Sequence, residues 1–363
     1  MPYCSLLKNH MAITLPGEYV PCCRFKQKKV SDKNYYVDEI SFDEYKNSSY
    51  YQSIIEDMKT GWSVGCIACK IEEDKNITSY RQHSNNIYQG EGIQYLEISL
   101  SKQCNLVCKM CHPVSSSKWE DLRSKSEYLQ EYFGKYRRNV TLDLENLLGD
   151  LDIKNLTHIK YLGGEPFITK EIKDLFDFLE HKNVMHNVSI LINSNCTLFP
   201  KKWLSQIKKF KKFKIGLSID GFEKSCEYSR VGSDWNIIST NLKKWKDFAD
   251  KNKNIDLYIA STINVFTVHD IDKLKDFANS LGIRVSFTLI NTPSQLSLEA
   301  LPNEYIKKIK NKSNEKYLQD VENDYSKSLR LVTFINETDK MQKIDVKKYI
   351  PDLYKHLEKL TNA

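Results

Sequence analysis

The chain has 363 residues, and its 54 Lys and Arg against 47 Asp and Glu give a formal net charge of +7. This length is enough to bury one large domain and a smaller one. The mean hydropathy is −0.53, and no run of about 18 apolar residues occurs, which excludes a membrane-spanning helix.

Charge and cysteine content narrow the class of function. The first residues lack the basic start and the apolar run of a secretory signal, so we expect a cytoplasmic protein. Its ten cysteines are then expected to be reduced thiols, which favours metal binding or redox chemistry over disulfides. The most lysine-rich run, residues 201–214, is interpreted as a solvated helix face rather than a phosphate contact. No membrane partner is expected, and nucleic acid is left open as a partner.

Residues 1–90 have the pattern of a small, loop-rich domain. HMAITLPGEYVPCC, residues 10–23, alternates apolar and polar residues around a Pro-Gly turn, which predicts a hairpin. Residues 41–61 begin with a capping-type sequence and end at a glycine, which predicts one helix. CIAC follows at residues 66–69, and the polar stretch 79–92 predicts a linker.

From about residue 93 the pattern changes to six short apolar runs that alternate with helical stretches. The runs are IQYLEISL (93–100), HIKYLGG (158–164), VSILINSN (188–195), FKIGLSID (213–220), IDLYIASTIN (255–264) and IRVSFTLIN (283–291). This alternation predicts an α/β fold with a parallel sheet, and six units rather than eight indicate a partial barrel of the TIM type. We predict three domains: a cysteine-rich domain at 1–90, the barrel at 91–295 and a helical C-terminal extension at 296–363.

Three cysteines lie close together in SLSKQCNLVCKMCHP, residues 99–113, after the first strand of the predicted barrel. The spacing C-x3-C-x2-C places Cys104, Cys108 and Cys111 in one short loop. Thiolates are the usual ligands of iron–sulfur clusters, so three of them can each bind one iron of a [4Fe–4S] cluster and leave the fourth iron open to a small molecule. The alternative is a zinc site completed by a distant residue or by His112, which is poorly placed because it directly follows Cys111.

Small and polar residues end three other strands of the predicted barrel. They are GGEP at 163–166, NSN at 193–195 and SIDG at 218–221. Because parallel βα folds hold their ligands at the carboxyl ends of the strands, we expect these groups and the cysteine loop to face one mouth.

The cysteine spacing, with Met110 before the last cysteine, and the downstream GGEP resemble the radical S-adenosylmethionine (SAM) superfamily over about residues 93–290. The resemblance implies a partial (β/α)6 barrel in which SAM chelates the unique iron through its amino and carboxylate groups. It also implies reductive cleavage of SAM to methionine and a 5′-deoxyadenosyl radical, which abstracts a hydrogen from the substrate. An electron donor such as flavodoxin or ferredoxin is implied as a partner.

Two motifs are implied as SAM contacts by their position. Gly163, Gly164 and Glu165 match the GGE motif, which lies along the methionine amino group; glycine permits close backbone approach there, and Glu165 can accept from the ammonium. Ser218 and Asp220 match a segment that meets the SAM ribose or carboxylate.

The remaining implied SAM-binding positions are less regular. Asn193, Ser194 and Asn195 stand where many relatives carry TNG. Asn195 departs from this pattern by replacing the glycine, and Asn tolerates positive φ better than most residues. Arg230 matches an arginine that holds the SAM carboxylate, and a surface arginine is the alternative. Met110 completes the set, and no catalytic side chain of the chain itself is assigned.

The N-terminal cysteines resemble the SPASM or twitch extensions of radical SAM enzymes. The pattern of such an extension is a Cys, a P-x-G hairpin ending in Cys, a helix and C-x2-C. It implies one auxiliary [4Fe–4S] cluster whose ligands are Cys4, Cys22, Cys66 and Cys69, with Cys23 as the alternative to Cys22. The extension normally follows the barrel and here precedes it. A zinc module with four cysteine ligands is the alternative.

The leading hypothesis is a radical SAM enzyme that abstracts hydrogen from an unidentified substrate. A peptide or protein is the first expectation, and a small molecule such as a nucleotide or a sugar is the second. The competing hypotheses are a zinc-binding nucleic-acid module, an iron–sulfur electron carrier and a SAM-binding sensor without catalysis. GGEP and SIDG favour the enzyme, because a zinc module or an electron carrier needs neither motif.

Overall fold

A computed structural model describes residues 2–27, 30, 33–136, 144–149 and 151–361. Its strands are β1 His10–Thr14, β2 Glu18–Val20, β3 Tyr95–Ser99, β4 His158–Leu162, β5 Ser189–Ser194, β6 Lys212–Ser218, β7 Ile255–Ile263 and β8 Val285–Leu289. They form one sheet in the order β2-β1-β3-β4-β5-β6-β7-β8. The six strands predicted from the apolar runs are confirmed as β3 to β8.

Helices fill most of the chain between and after the strands. They are α1 Leu6–Asn9, α2 Phe42–Asn47, α3 Ser49–Thr60, α4 Ile67–Asp74, α5 Tyr80–Ile87, α6 Ser117–Ser124, α7 Glu127–Phe133, α8 Leu144–Leu148, α9 Lys170–His181, α10 Leu204–Ile207, α11 Lys224–Ser229, α12 Trp235–Lys251, α13 Ile271–Ser280, α14 Asn303–Ile309, α15 Glu315–Leu318, α16 Tyr325–Gln342, α17 Val346–Tyr349 and α18 Pro351–Thr361. Within the described part of the chain, none of them is long and apolar enough to cross a membrane. With strands and helices alternating along the chain and helices at its end, the fold is α/β with a helical C-terminus.

The chain forms two compact units, each assembled from separate segments. Unit 1 comprises Met1–Lys102, Tyr136–Ile192 and Lys202–Lys214, and unit 2 comprises the segments Gln103–Lys135, Asn193–Lys201 and Ile215–Ala363. The division into domains at residues 90 and 295 stays a prediction.

In unit 1 the predicted N-terminal hairpin is confirmed, and it extends the sheet. β1 pairs with β2 antiparallel and with β3 in parallel. β3, β4 and β5 are also parallel neighbours. Amphipathic α9 buries Leu175, Phe176 and Leu179, and the ring of Phe176 meets those of Phe210 and Phe213 edge-on at 5.2 and 6.4 Å. The apolar face of α9 thereby packs on aromatic side chains at and before the start of β6.

Unit 2 contains the parallel strand pair β7–β8 and a core formed largely by the C-terminal helices. α16 contributes Leu331, Phe334 and Ile335, and α18 contributes Leu353 and Leu357 to one buried cluster. The spacing of these residues by three or four positions places them on one face of each helix. The C-terminal helices are thus part of the packed core of unit 2.

Two local predictions in the N-terminal region were wrong. The polar stretch 79–92 contains α5 rather than a linker; a capping box between Ser79 and Gln82 begins this helix and satisfies its first backbone N–H groups. Residues 41–61 form two helices, because Ser48 leaves the helical conformation and caps α3 by accepting from the Tyr51 backbone N–H.

Candidate functional site

The loop that carries Cys104, Cys108 and Cys111 is held by backbone hydrogen bonds along its length in unit 2. The N–H of Val107 donates to the Val231 carbonyl at 2.9 Å, and the N–H of Lys109 donates to the Ser229 carbonyl at 2.8 Å. The indole N–H of Trp119 donates to the Cys108 carbonyl at 2.8 Å. Since these bonds fix the loop on both sides of Cys108, the positions of the thiols follow from the fold.

The three thiols of this loop share one environment. Cys108 is buried, and Cys104 and Cys111 are half-buried. Burial raises the pKa of Cys111 to about 11, and a charge on Cys104 raises it further. Burial also raises the pKa of Cys108. Cys108 and Cys111, whose pKa values are raised, would become thiolates on binding a metal. An iron–sulfur cluster requires such thiolate ligands.

Arg230 connects the cysteine loop to the end of β6. Its Nη1 donates to the Cys108 sulfur at 3.8 Å, and its Nε lies 2.8 Å from Oδ2 of Asp220. Oδ1 of Asp220 accepts from the Thr262 backbone N–H at 2.6 Å. Burial lowers the pKa of Arg230, but Asp220, Cys108 and Cys226 together outweigh it, so the net shift is upward. Arg230 is therefore a partly buried cation aimed at a candidate cluster ligand.

The GGE turn follows β4 in unit 1. Gly163 has a φ of +145°, and a Cβ there would lie 2.4 Å from the carbonyl oxygen of Ser101. Gly164 donates its N–H to the same carbonyl at 2.9 Å. Glu165 is buried, and its carboxylate accepts from the Phe167 N–H at 3.3 Å. Glycine at position 163 is thus required by the close approach of the chain after β3.

The NSN segment after β5 differs from the prediction in one detail. The positive φ lies at Cys196, at +62°, and not at Asn195. Asn195 instead donates its side-chain amide to the amide oxygen of Asn105 at 2.8 Å and accepts from the Thr197 N–H at 3.0 Å. These bonds tie the segment to the cysteine loop through Asn105.

Asn193, Ser194 and Ser218 are also placed by the structure. Oδ1 of Asn193 is buried and would meet a Cβ on Gly216 at 2.4 Å. Ser194 is buried and its hydroxyl accepts from the Cys196 N–H at 3.3 Å, whereas Ser218 is half-buried at the end of β6. Met110, in the cysteine loop, packs against the C-terminal core of unit 2.

Sequence reasoning missed a buried ion pair beside the cysteine loop. Lys109 is fully buried, and its Nζ donates to Asp339 on α16 at 2.5 Å and to Thr338 at 2.7 Å. The Tyr228 hydroxyl donates to the same Asp339 oxygen at 2.9 Å. The position of Lys109 between two cysteines could have indicated a special role, but its partner Asp339 lies 230 residues further along the chain.

A second group of thiols lies in unit 1. The four N-terminal cysteines Cys4, Cys22, Cys66 and Cys69 line one cavity. Burial raises the pKa values of Cys4, of Cys22 and of Cys66, that of Cys66 to about 12, and neighbouring cysteines raise all three further. In the described residues no three His, Cys, Asp or Glu side chains form a preformed single-ion site.

Two arginines also line the cavity of the four cysteines. Arg24 makes a two-point contact with Glu72 at 2.8 and 2.6 Å, and Arg81 makes one with Glu73 at 2.9 and 2.6 Å. The charge of Arg81 opposes the upward pKa shifts of Cys4 and Cys66. Both glutamates lie on α4, which starts within the CIAC sequence, so the helix fixes the cations near the thiols.

The side chains of the adjacent residues Cys22 and Cys23 lie in different surroundings. Cys22 lines the cavity, whereas the Cys23 thiol interacts with Glu97 and Tyr80, and burial followed by the Glu97 charge raises its pKa to about 11. Gly65 packs so tightly on Phe25 that a Cβ would lie 2.2 Å from the ring, which keeps the segment after Cys22 close to CIAC. Cys22 is therefore the one that accompanies the other three.

The family follows from comparison with known proteins. The model described as Radical SAM superfamily matches residues 98–286. The chain belongs to the radical SAM superfamily. Membership of this superfamily implies a [4Fe–4S] cluster, SAM and a reductant.

Individual relatives of this radical SAM enzyme are distant. It is 25% identical over 214 residues to the radical SAM cyclopropyl synthase TigE of Paramaledivibacter caminithermalis, covering 57% of this chain and 44% of TigE. It is 23% identical over 191 residues to a GTP 3′,8-cyclase of Clostridium botulinum, covering 52% of this chain and 53% of the cyclase. The chain spans about half the length of these curated relatives.

Solved structures were also matched over part of the chain. The native anSMEcpe structure with bound AdoMet has a TM-score of 0.41 and 18% identity, covering 69% of this chain and 62% of that chain. Streptococcus suis SuiB bound to precursor peptide SuiA has a TM-score of 0.40 and 16% identity, covering 88% of this chain and 57% of that chain.

Proposed function

We propose that Cys104, Cys108 and Cys111 bind the [4Fe–4S] cluster of this radical SAM enzyme and leave one iron for SAM. The observation that carries the proposal is the contact of the partly buried Arg230 with the Cys108 sulfur. When bound, the cluster and SAM supply reductive cleavage to methionine and a 5′-deoxyadenosyl radical that abstracts hydrogen from a substrate. The partial (β/α)6 barrel that encloses such a site belongs to the same proposal.

The protein's own groups position the charges of this site. A hydrogen bond from Arg230 lowers the electron density on the Cys108 thiolate and favours the reduced cluster. Asp220 is fully buried, with Thr262 on one carboxylate oxygen and Arg230 on the other. We therefore assign Asp220 to positioning Arg230 and not to direct contact with the SAM ribose.

The remaining SAM contacts are proposed from the family motifs. Gly163, Gly164 and Glu165 would hold the methionine amino group, and the other contacts are Asn193, Ser194, Asn195, Ser218, Arg230 and Met110. Glu165 accepts one backbone N–H from Phe167, and a carboxylate has lone pairs for further donors. An ammonium is such a donor.

We also propose one auxiliary [4Fe–4S] cluster at Cys4, Cys22, Cys66 and Cys69. Four thiols around one cavity match the ligand count of a closed cluster. Arg24 and Arg81 place positive charge beside a cluster that carries net negative charge with four thiolates. With four protein ligands this cluster has no iron open to substrate, so its role is electron relay or structure.

The substrate class is proposed from the family resemblance and not from the geometry of the site. A peptide or protein is proposed first, as in the resemblance to SPASM and twitch enzymes, and a small molecule such as a nucleotide or a sugar is second. A cytoplasmic location and electron transfer from flavodoxin or ferredoxin complete the proposal.

The test is anaerobic purification followed by reduction with dithionite in the presence of SAM. We expect a brown protein with about eight irons per chain, four for each cluster, that releases 5′-deoxyadenosine. Unchanged SAM cleavage in a variant lacking Cys104, Cys108 and Cys111 would refute the assignment. A zinc-loaded, colourless protein would refute both clusters.

A further inference from the structure

A cleft of about 350 Å³ lies between α5 and strands β3 to β6 in unit 1. It lies near the amino ends of these strands, since His158 is the first residue of β4 and Lys212 is the first residue of β6. The GGE turn follows the other end of β4. The cleft is therefore separate from the turn to which SAM contacts are assigned, and its volume falls within the range of small-molecule sites, about 300 to 1,000 Å³.

Strand periodicity explains which face of the sheet carries the basic side chains of the cleft. In β6, Phe213 is buried, while Lys212 is exposed and Lys214 is half-buried. In β4, likewise, Ile159 is buried between the half-buried His158 and Lys160. Successive side chains of a strand point to opposite faces. Since Phe213 meets Phe176 of α9, the basic side chains face the side away from that helix.

The lining of this cleft is strongly basic. It includes the ammonium groups of Lys160, Lys212 and Lys214 and the imidazoles of His83 and His158, and no described lining residue is a carboxylate. Lys160 also donates to the buried Glu97 at 2.5 Å. Basic side chains converging on a concave surface raise the local concentration of anions.

Other observations agree with a positive potential in the cleft. Burial lowers the pKa of His158, and the charges of Lys211 and His83 lower it further. The Tyr88 ring stacks on the Tyr95 ring at 5.3 Å, and the Tyr88 ring also meets His158 edge-on at 5.3 Å. An aromatic wall beside several ammonium groups suits a ligand that joins a ring to a polyanion.

We propose that this cleft binds a small molecule that carries a phosphate or polyphosphate group. The ammonium groups of Lys212 and Lys214 contact the phosphate oxygens, because lysine binds phosphate as a point charge. The two lysines are two residues apart on one face of β6, which matches a group with several negative oxygens. The inference does not depend on the cysteine clusters, because every residue used lies in unit 1 and outside the cavity of the four cysteines.

The test is calorimetric titration of the anaerobically purified full chain with pyrophosphate, GTP and guanosine. We expect pyrophosphate and GTP to bind, and guanosine to bind at least about tenfold more weakly than GTP, because charged hydrogen bonds to the phosphates carry the affinity. The K212Q/K214Q double variant should weaken GTP at least about tenfold. Lys214→Arg keeps the charge and should bind GTP as the unmodified protein does.

Two controls keep folding and the clusters separate from ligand binding. Lys154→Gln removes an exposed lysine of unit 1 that does not line the cleft, and it should leave GTP affinity unchanged. Cys104→Ala should also leave it unchanged, even where SAM cleavage is lost. Absence of GTP and pyrophosphate binding, an equal affinity for guanosine, or unweakened binding in K212Q/K214Q would overturn the proposal. Binding of single-stranded RNA without binding of pyrophosphate would assign the lysines to nucleic acid and overturn it as well.

Discussion

The two cysteine regions differ in how the chain brings their thiols together. Cys104, Cys108 and Cys111 lie in one loop, which backbone bonds to the segment at 229–231 hold in place. The four thiols of the second region come from the chain start, the end of a hairpin and the CIAC sequence, and they line a single cavity. The first arrangement depends on spacing along the chain, and the second depends on folding.

The regions also differ in the charges around the thiols. Beside the loop, the partly buried Arg230 contacts a sulfur directly and is itself held by Asp220. Around the four-cysteine cavity, Arg24 and Arg81 are each paired with a glutamate of α4. In the proposed assignment a direct hydrogen bond to sulfur would tune one cluster, whereas the other would have nearby compensated charge. An open and a closed cluster would then lie in differently charged surroundings.

The largest effect is expected from Cys104→Ala. It should abolish SAM cleavage and remove about four irons per chain, because the open cluster loses one of its three ligands while the other region is untouched. Iron content and 5′-deoxyadenosine formation measure both effects. If about eight irons remain and cleavage proceeds, the two regions have been assigned to the wrong chemistry.

Substitution of the adjacent pair Cys22 and Cys23 tests the second region with a matched control. Cys22→Ser should lose about four irons, because its thiol lines the four-cysteine cavity. Cys23→Ser should retain all iron, since the Cys23 thiol lies with Glu97 and Tyr80. Iron quantification after anaerobic purification decides between them. The reverse pattern would make Cys23 the ligand.

Asp339→Ala tests the support of the loop. Lys109 would be left as a buried charge without its carboxylate, which costs roughly 3 to 5 kcal/mol of unfolding free energy. Denaturant unfolding of the full chain measures the loss. The double variant K109M/D339A should recover part of it, because the buried charge is then removed as well. A loss below about 1 kcal/mol in the single variant would contradict the role of this ion pair.

The smallest effects are expected on reduction potentials. Arg230→Gln should lower the potential of the SAM-binding cluster by roughly 60 mV, since hydrogen bonds to sulfur raise cluster potentials and 59 mV corresponds to about 1.4 kcal/mol for one electron. It should leave the potential of the four-cysteine cluster unchanged. Arg81→Gln should instead lower the potential of the four-cysteine cluster and leave that of the SAM-binding cluster unchanged. Redox titration followed by EPR separates the two, and a shift of both clusters by either variant would remove the distinction.

Much of the fold and of the loop site was predictable from the sequence. Strand periodicity and the compact motif are local signals, so β3 to β8 and the cysteine loop were found. Contacts between residues far apart in the chain were not predictable, because no local pattern links Lys109 to Asp339 or Arg230 to the Cys108 sulfur. α5 was missed because its polar sequence hid the capping box that begins at Ser79. The positive φ was placed on Asn195 by its conformational tolerance, but tertiary bonds put it on Cys196.

EPR of the reduced protein with and without SAM, in Cys22→Ser and Cys104→Ala, tests the central claim most directly. The account predicts that Cys22→Ser keeps a cluster signal that SAM shifts, and that Cys104→Ala keeps only a signal that SAM leaves unchanged. A SAM-shifted signal that survives in Cys104→Ala and disappears in Cys22→Ser would contradict the account.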